Sequence, residues 1–119
     1  MAATRAAFAS VATDVEAAQR ALLSAVPTSR DEGVPLAQAI ASFAQHLSEA
    51  ARGMGALDRD VLAHGWTKCV EALKTARREA DRLRTEPLAL DFEVLNARIG
   101  DVLLPLEAFA GVERALRRR

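Results

Sequence analysis

Apolar side chains recur along this chain at alternating steps of three and four, the spacing that gathers them on one stripe of an α-helix. Phe8, Val11, Val15, Ala18 and Leu22 form the first such stripe, and Leu36, Ile40, Phe43, Leu47, Ala50 and Met54 the second. Leu62, Trp66, Cys69, Leu73, Ala76, Ala80 and Leu83 make a third, then Phe92, Leu95, Ile99, Val102, Leu106 and Phe109 a fourth. Each stripe keeps a seven-residue repeat. No segment shows the strict apolar–polar alternation or the β-branched runs of a strand, so the pattern predicts an all-α protein.

Breakers divide the stripes at 26–34 (VPTSRDEGV), 53–58 (GMGALD) and 85–90 (TEPLAL). They leave helices over about 2–25, 35–53, 58–84 and 88–117, in a single helical-bundle domain spanning 1–119. Pro35 is predicted in the first turn of helix two, where a missing amide donor costs nothing, and Gly53 or Gly55 in the left-handed conformation that ends that helix. Asp58 is placed to cap helix three, and Asp91, followed by Glu93, to cap or open helix four. Short connections between helices of this length favour an antiparallel up-down-up-down four-helix bundle. Pro105 removes one hydrogen bond from helix four and predicts a kink near that residue.

Composition narrows the function more than the fold. At 119 residues and 12.8 kDa, with 50% of residues hydrophobic and 27% charged, the chain can bury one core and has no room for a second. Its 16 basic and 16 acidic side chains cancel, so bulk charge gives no general attraction to nucleic acid or an anionic membrane. The start, MAATRAAFASVATDVEAAQRALL, lacks the unbroken apolar core of a secretion signal, being interrupted by Asp14 and Glu16. The most apolar stretch, 99–112, contains Asp101, Pro105 and Glu107 and falls short of the roughly 20 apolar residues a bilayer span needs. Arginine outnumbers lysine 14 to 2 and alanine occurs 26 times, a bias of GC-rich genomes that, with a single cysteine, points to the cytoplasm of a bacterium.

Little of the usual bundle chemistry has its residues here. A carboxylate di-metal centre uses Glu-x-x-His, whereas His46-Leu-Ser-Glu49 runs in the reverse order and two histidines cannot complete the set, so neither a metal nor a cofactor is predicted. Gly53, Gly55 and Gly65 lack the Lys-Ser/Thr ending and the preceding strand of a phosphate-binding loop. Cys69 falls on the apolar stripe and reads as a packing residue.

The surface offers more. Lys74, Arg77, Arg78, Arg82 and Arg84 form a basic run on helix three, interleaved with Glu71, Glu79 and Asp81, and Arg114, Arg117, Arg118 and Arg119 form another at the end of the chain. Helix four carries Val94, Leu103, Leu104 and Val112 beside its stripe, and Val94 and Leu104 need burial on a flank that four helices leave uncovered. The reading that follows is a non-enzymatic helical module for protein association, a small subunit or adaptor. Its expected partner is another protein or a second copy in a homodimer through helix four.

A second reading belongs to a different class. Arg59-Asp60-Val61-Leu62-Ala63-His64 resembles the signature of the HEPN family, helical domains of prokaryotic toxin–antitoxin and defence systems in which an Arg, a polar residue, three further residues and a His recur. The resemblance implies a metal-independent ribonuclease or an inactive relative, with two facing motifs in a homodimer. Arg59 would then bind the scissile phosphate of an RNA, Asp60 would hold the polar second position and His64 would move the proton. On this reading His64→Ala abolishes RNA cleavage and leaves helicity and melting temperature unchanged. Cleavage that persists in the variant removes His64 from the chemistry.

Overall fold

In the computed structural model the described residues are 2–26, 33–57, 64–85 and 92–117. They are all-helical: α1 (Ala2–Leu23), α2 (Leu36–Gly55), α3 (His64–Thr85), α4 (Phe92–Leu103) and α5 (Glu107–Arg117), the last two joined by a 3-10 turn at Leu104–Leu106. No strand occurs among the described residues, and none of their helices is long and apolar enough to cross a membrane.

The four stripes meet in one core. Phe8, Val11, Val15, Ala18 and Leu22 of α1 and Ile40, Phe43, Leu47, Ala50 and Met54 of α2 are buried, as are Cys69, Leu73, Ala76, Ala80 and Leu83 of α3. Leu95, Ile99, Val102, Leu106, Phe109, Val112 and Leu116 supply the remaining side, and Leu36 and Trp66 pack half-buried against the cluster. Among the described residues no polar or charged side chain is buried. Burial of each large aliphatic or aromatic side chain contributes about 1.5–3 kcal/mol, so these residues dominate stability. The ion pairs Glu71–Lys74, Glu79–Arg82, Asp81–Arg84 and Arg98–Asp101 each join residues three apart on one exposed helix surface and add little.

Neighbours follow chain order. α1 packs on α2, α2 on α3, and α3 on α4 and α5, while α5 returns to α1. The Phe8 and Phe109 rings close this circuit, stacked with centroids 6.0 Å apart at 19°. Overall extents of 47 × 27 × 19 Å suit two helices side by side in each short direction, at the spacing of about 8–10 Å that packed helices keep.

Gly53 explains why α1 and α2 lie so close. A Cβ built there would come 2.7 Å from Val11 Cγ2, nearer than two carbons can sit. The sequence expectation that Gly53 or Gly55 ends α2 in a left-handed conformation is therefore corrected. The helix runs through both, and Ala56 follows in a right-handed conformation (φ −86°, ψ −9°). Its end is closed by tight turns instead, Ala56 N–H donating to Gly53 O at 3.2 Å and Leu57 N–H to Met54 O at 3.1 Å. Left-handed backbone occurs at Gly33 (φ 85°), beside Val34, whose N–H donates to Ser24 O at 2.7 Å and ties α2 to the end of α1. Pro35 stands just before α2 with extended backbone (ψ 135°), and its carbonyl accepts the first helical bond from Ala39 N–H at 3.0 Å.

Pro105 acts on hydrogen-bond type. Having no N–H, it cannot continue the α-helical ladder, and α4 passes into a 3-10 turn before α5 begins at Glu107, where successive backbone N–H groups donate to the carbonyls of Leu104 and Pro105. Asp58 and Asp91 lie outside the described residues.

Two glycine substitutions test this packing in opposite directions. Gly53→Ala is expected to destabilise by about 1–3 kcal/mol, since the buried, β-branched Val11 or the helix backbone must shift to admit a Cβ. Gly100→Ala meets nothing within 4 Å among the described residues and is expected to stabilise by roughly 0.5–1 kcal/mol through helix propensity. Thermal melts read both, and equal shifts of the same sign would refute the assigned roles.

Candidate interaction surfaces

The outer face of α4 is the first candidate. Glu93, Val94, Ala97, Gly100, Asp101, Leu104 and Glu107 are all exposed, and their spacing of three and four draws a second stripe opposite the buried one. Leu104, in the turn that follows α4, is 60% exposed and Val94 47%, the large apolar side chains exposed on this face among the described ones. Leu103 and Val112 do not join them. Leu103 is half-buried against the core, and Val112, 9% exposed, packs where a Cβ on Gly65 would come within 3.0 Å of it. Helical rotation accounts for Leu103, since nine residues turn about 180° and Val94 and Leu103 face opposite ways, whereas Val112 belongs to α5, beyond the 3-10 turn. Val94 and Leu104, the pair expected on an uncovered flank, are thus the exposed members of the four, and Leu103 and Val112 are packed.

A groove between α2 and α3 is the second candidate. It encloses about 310 Å³ and is lined by Leu47, Ser48, Ala51, Leu73, Lys74 and Arg77. Its register is pinned at two points. Trp66 Nε1–H donates to Met54 O at 3.0 Å, satisfying a carbonyl at the end of α2, and Arg77 Nη1–H donates to Ser48 Oγ at 3.0 Å. Ser48 in turn donates to Ala44 O at 3.0 Å, which fixes the hydroxyl that receives Arg77. The basic run on α3 thus divides: Lys74, Arg82 and Arg84 have carboxylates three residues away at 3.8, 3.3 and 3.9 Å, whereas Arg77 leans across the groove. Arg78 is exposed beside it. A cleft of about 170 Å³ at the other side of α1, lined by Arg5, Phe8, Ala9, Glu113 and Leu116, is smaller.

The remaining residues that carry chemistry are dispersed. Arg59 and Asp60 lie outside the described residues, and His64 opens α3 with its side chain outside them too. Arg117 ends α5 with its side chain undescribed, and Arg118 lies outside the described residues. His46 Nδ1 is 3.8 Å from Glu49 Oε2 across one helical turn, too far for a hydrogen bond. Among the described residues no three His, Cys, Asp or Glu side chains come together to hold a metal.

Ser48 and Ala51 escaped the reading of single helices because the groove exists only where two helices meet. Glu93, Ala97, Gly100, Leu104 and Glu107 were legible as a stripe of alternating steps of four and three, masked by the apolar one on the same helix.

Cys69 sits wholly inside the core, where burial pushes its thiol up to about 12. At pH 8 an ordinary thiol is about one-tenth ionised and Cys69 about a thousandfold less. Reaction with a disulfide reagent in native buffer is accordingly expected to be at least about a hundredfold slower than in denaturant. Comparable rates in the two conditions would place Cys69 outside the core. No family model, curated protein or solved structure matches the chain.

Proposed function

We propose that this chain is a non-enzymatic module for protein association, built as an antiparallel up-down-up-down bundle kinked at Pro105, with the outer face of α4 as its contact. The observation that carries the reading is the 60% exposure of Leu104 on a helix whose opposite stripe already fills the core. Val94 extends the apolar surface, and nothing among the described residues calls for a glycine at Gly100, where a Cβ would meet open space. Glycine in a helix interior costs about 1 kcal/mol against alanine, and a partner's backbone approaching from outside gives that cost a purpose.

The bundle topology is supported by the contacts that join successive helices. Val11 meets Gly53 while Ser24 meets Val34, and Met54 meets Trp66 while Ser48 meets Arg77, each pair running in opposite senses along its two helices. Gly65 at the start of α3 meets Val112 near the end of α5 in the same manner.

A photo-crosslinking residue at position 97, in the middle of the exposed stripe and expressed in the source cell, is expected to give discrete covalent adducts with a protein. Adding Leu104→Asp should lower their yield at least about tenfold, as loss of an apolar anchor at an interface centre does. Absence of adducts, or a yield that Leu104→Asp leaves unchanged, removes α4 as the contact.

A further inference from the structure

We propose that the α4 face docks on a second copy of this chain, entering the groove between α2 and α3 in a head-to-tail contact. The inference rests on the reading of α4 as the contact face and adds the identity of what it meets.

The two surfaces are complementary in charge, and both have an apolar centre. The groove has an apolar floor of Leu47, Ala51 and Leu73, with Lys74 and Arg77, one turn apart, on its rim. Arg52 stands one turn beyond Ser48 on the same side of α2 and is exposed. No carboxylate among the described residues lies within ion-pair distance of Arg77; its recorded partner is the neutral Ser48 hydroxyl. The ridge has the opposite character. Leu104 projects between Asp101 and Glu107, each three residues away, with Glu93 and Val94 further along the same face. Glu93 and Glu107 have no cation within ion-pair distance among the described residues, while Asp101 holds Arg98 at 3.3 Å. An apolar knob between acids thus faces an apolar groove edged with bases, the arrangement in which an amphipathic helix lies in a groove with its charges paired at the rim.

One copy cannot satisfy both halves. α4 packs inward on α3 and α1, so its outer stripe points away from the groove between α2 and α3. Two different patches meeting between copies form a heterologous contact, which leaves a free ridge at one end and a free groove at the other and continues to a ring or a chain.

Light scattering over a concentration series tests this by complementation. Wild-type mass is expected to rise past twice the 12.8 kDa monomer and to fall with salt. The ridge variant Leu104→Asp and the groove variant Arg52→Glu/Lys74→Glu, which spares the Arg77–Ser48 bond, should each associate at least about tenfold more weakly, yet together form a 1:1 heterodimer, because each supplies the half the other lacks. Ala51→Arg, which fills the groove without reversing charge, should behave as the groove variant, and circular dichroism melts confirm that the surface changes leave the fold intact. Groove variants that assemble like wild type while Leu104→Asp does not would overturn the groove as receptor and leave α4 as a contact. A wild-type mass fixed at 12.8 kDa across the series would overturn the second copy as occupant, and adducts at position 97 would then identify a different protein. Assembly unaffected by every variant, Leu104→Asp included, would take down both readings.

Discussion

The approach of α1 to α2 at Val11 and Gly53 sets the frame for the other helices. With no side chain on Gly53, the Val11 methyl occupies space a Cβ would claim, and Ala18, Ala39 and Ala50 are the small buried residues of the two helices. Small contact residues bring helix axes toward the near end of the usual 8–10 Å range. The larger side chains, Phe8, Phe43, Leu22, Leu47 and Met54, are then buried in the one core that the other helices complete, Phe8 against Phe109. A β-carbon at position 53 would separate the pair and leave those side chains spread over a wider gap, with cavities that cost stability in proportion to their volume.

Helix four works under a different constraint, because it serves two faces. Leu95, Ile99, Val102, Leu106 and Phe109 point inward, and the 3-10 turn at Pro105 rotates successive residues by more than an α-helix does. Within that turn Leu106 remains buried while Leu104 stands exposed two residues earlier. A regular helix fully committed to the core would have a polar residue at 104. The exposed leucine is the departure from local consistency by which a site for another molecule can be recognised in an otherwise self-consistent sequence.

Much of the fold was legible because helical period converts directly into burial. Val15, Ile40, Leu73 and Ile99 each sit where their stripe put them, and those stripes needed only spacing to be recognised. What spacing could not supply was the purpose of a glycine. Gly53 looked like a helix stop because glycine favours left-handed ends, yet its role is set by Val11, 42 positions earlier, and that contact leaves no trace in local sequence. Val112 was grouped with Leu104 for hydrophobicity alone, without following the rotation that carries it to Gly65. The groove was illegible for the same reason as the Val11 contact: Ser48 and Arg77 lie 29 positions apart and acquire meaning only as a pair.

That pair bears on how a core without polar groups keeps one register. Among the described residues the buried side chains are all apolar, and apolar stripes of leucine and alanine slide past one another at modest cost. Trp66 to Met54 and Arg77 to Ser48 cross the same interface at two separate heights, and a shift of α3 by one turn breaks both bonds together. The donors displaced would be an indole N–H in a half-buried place and a guanidinium on the rim of an apolar groove. Polar contacts at the edge of the α2–α3 seam thus specify what the apolar centre only stabilises. The same two bonds hold the groove at fixed width and keep the Arg77 charge on its rim, so the feature that sets the register also fixes in advance the surface a second copy would meet.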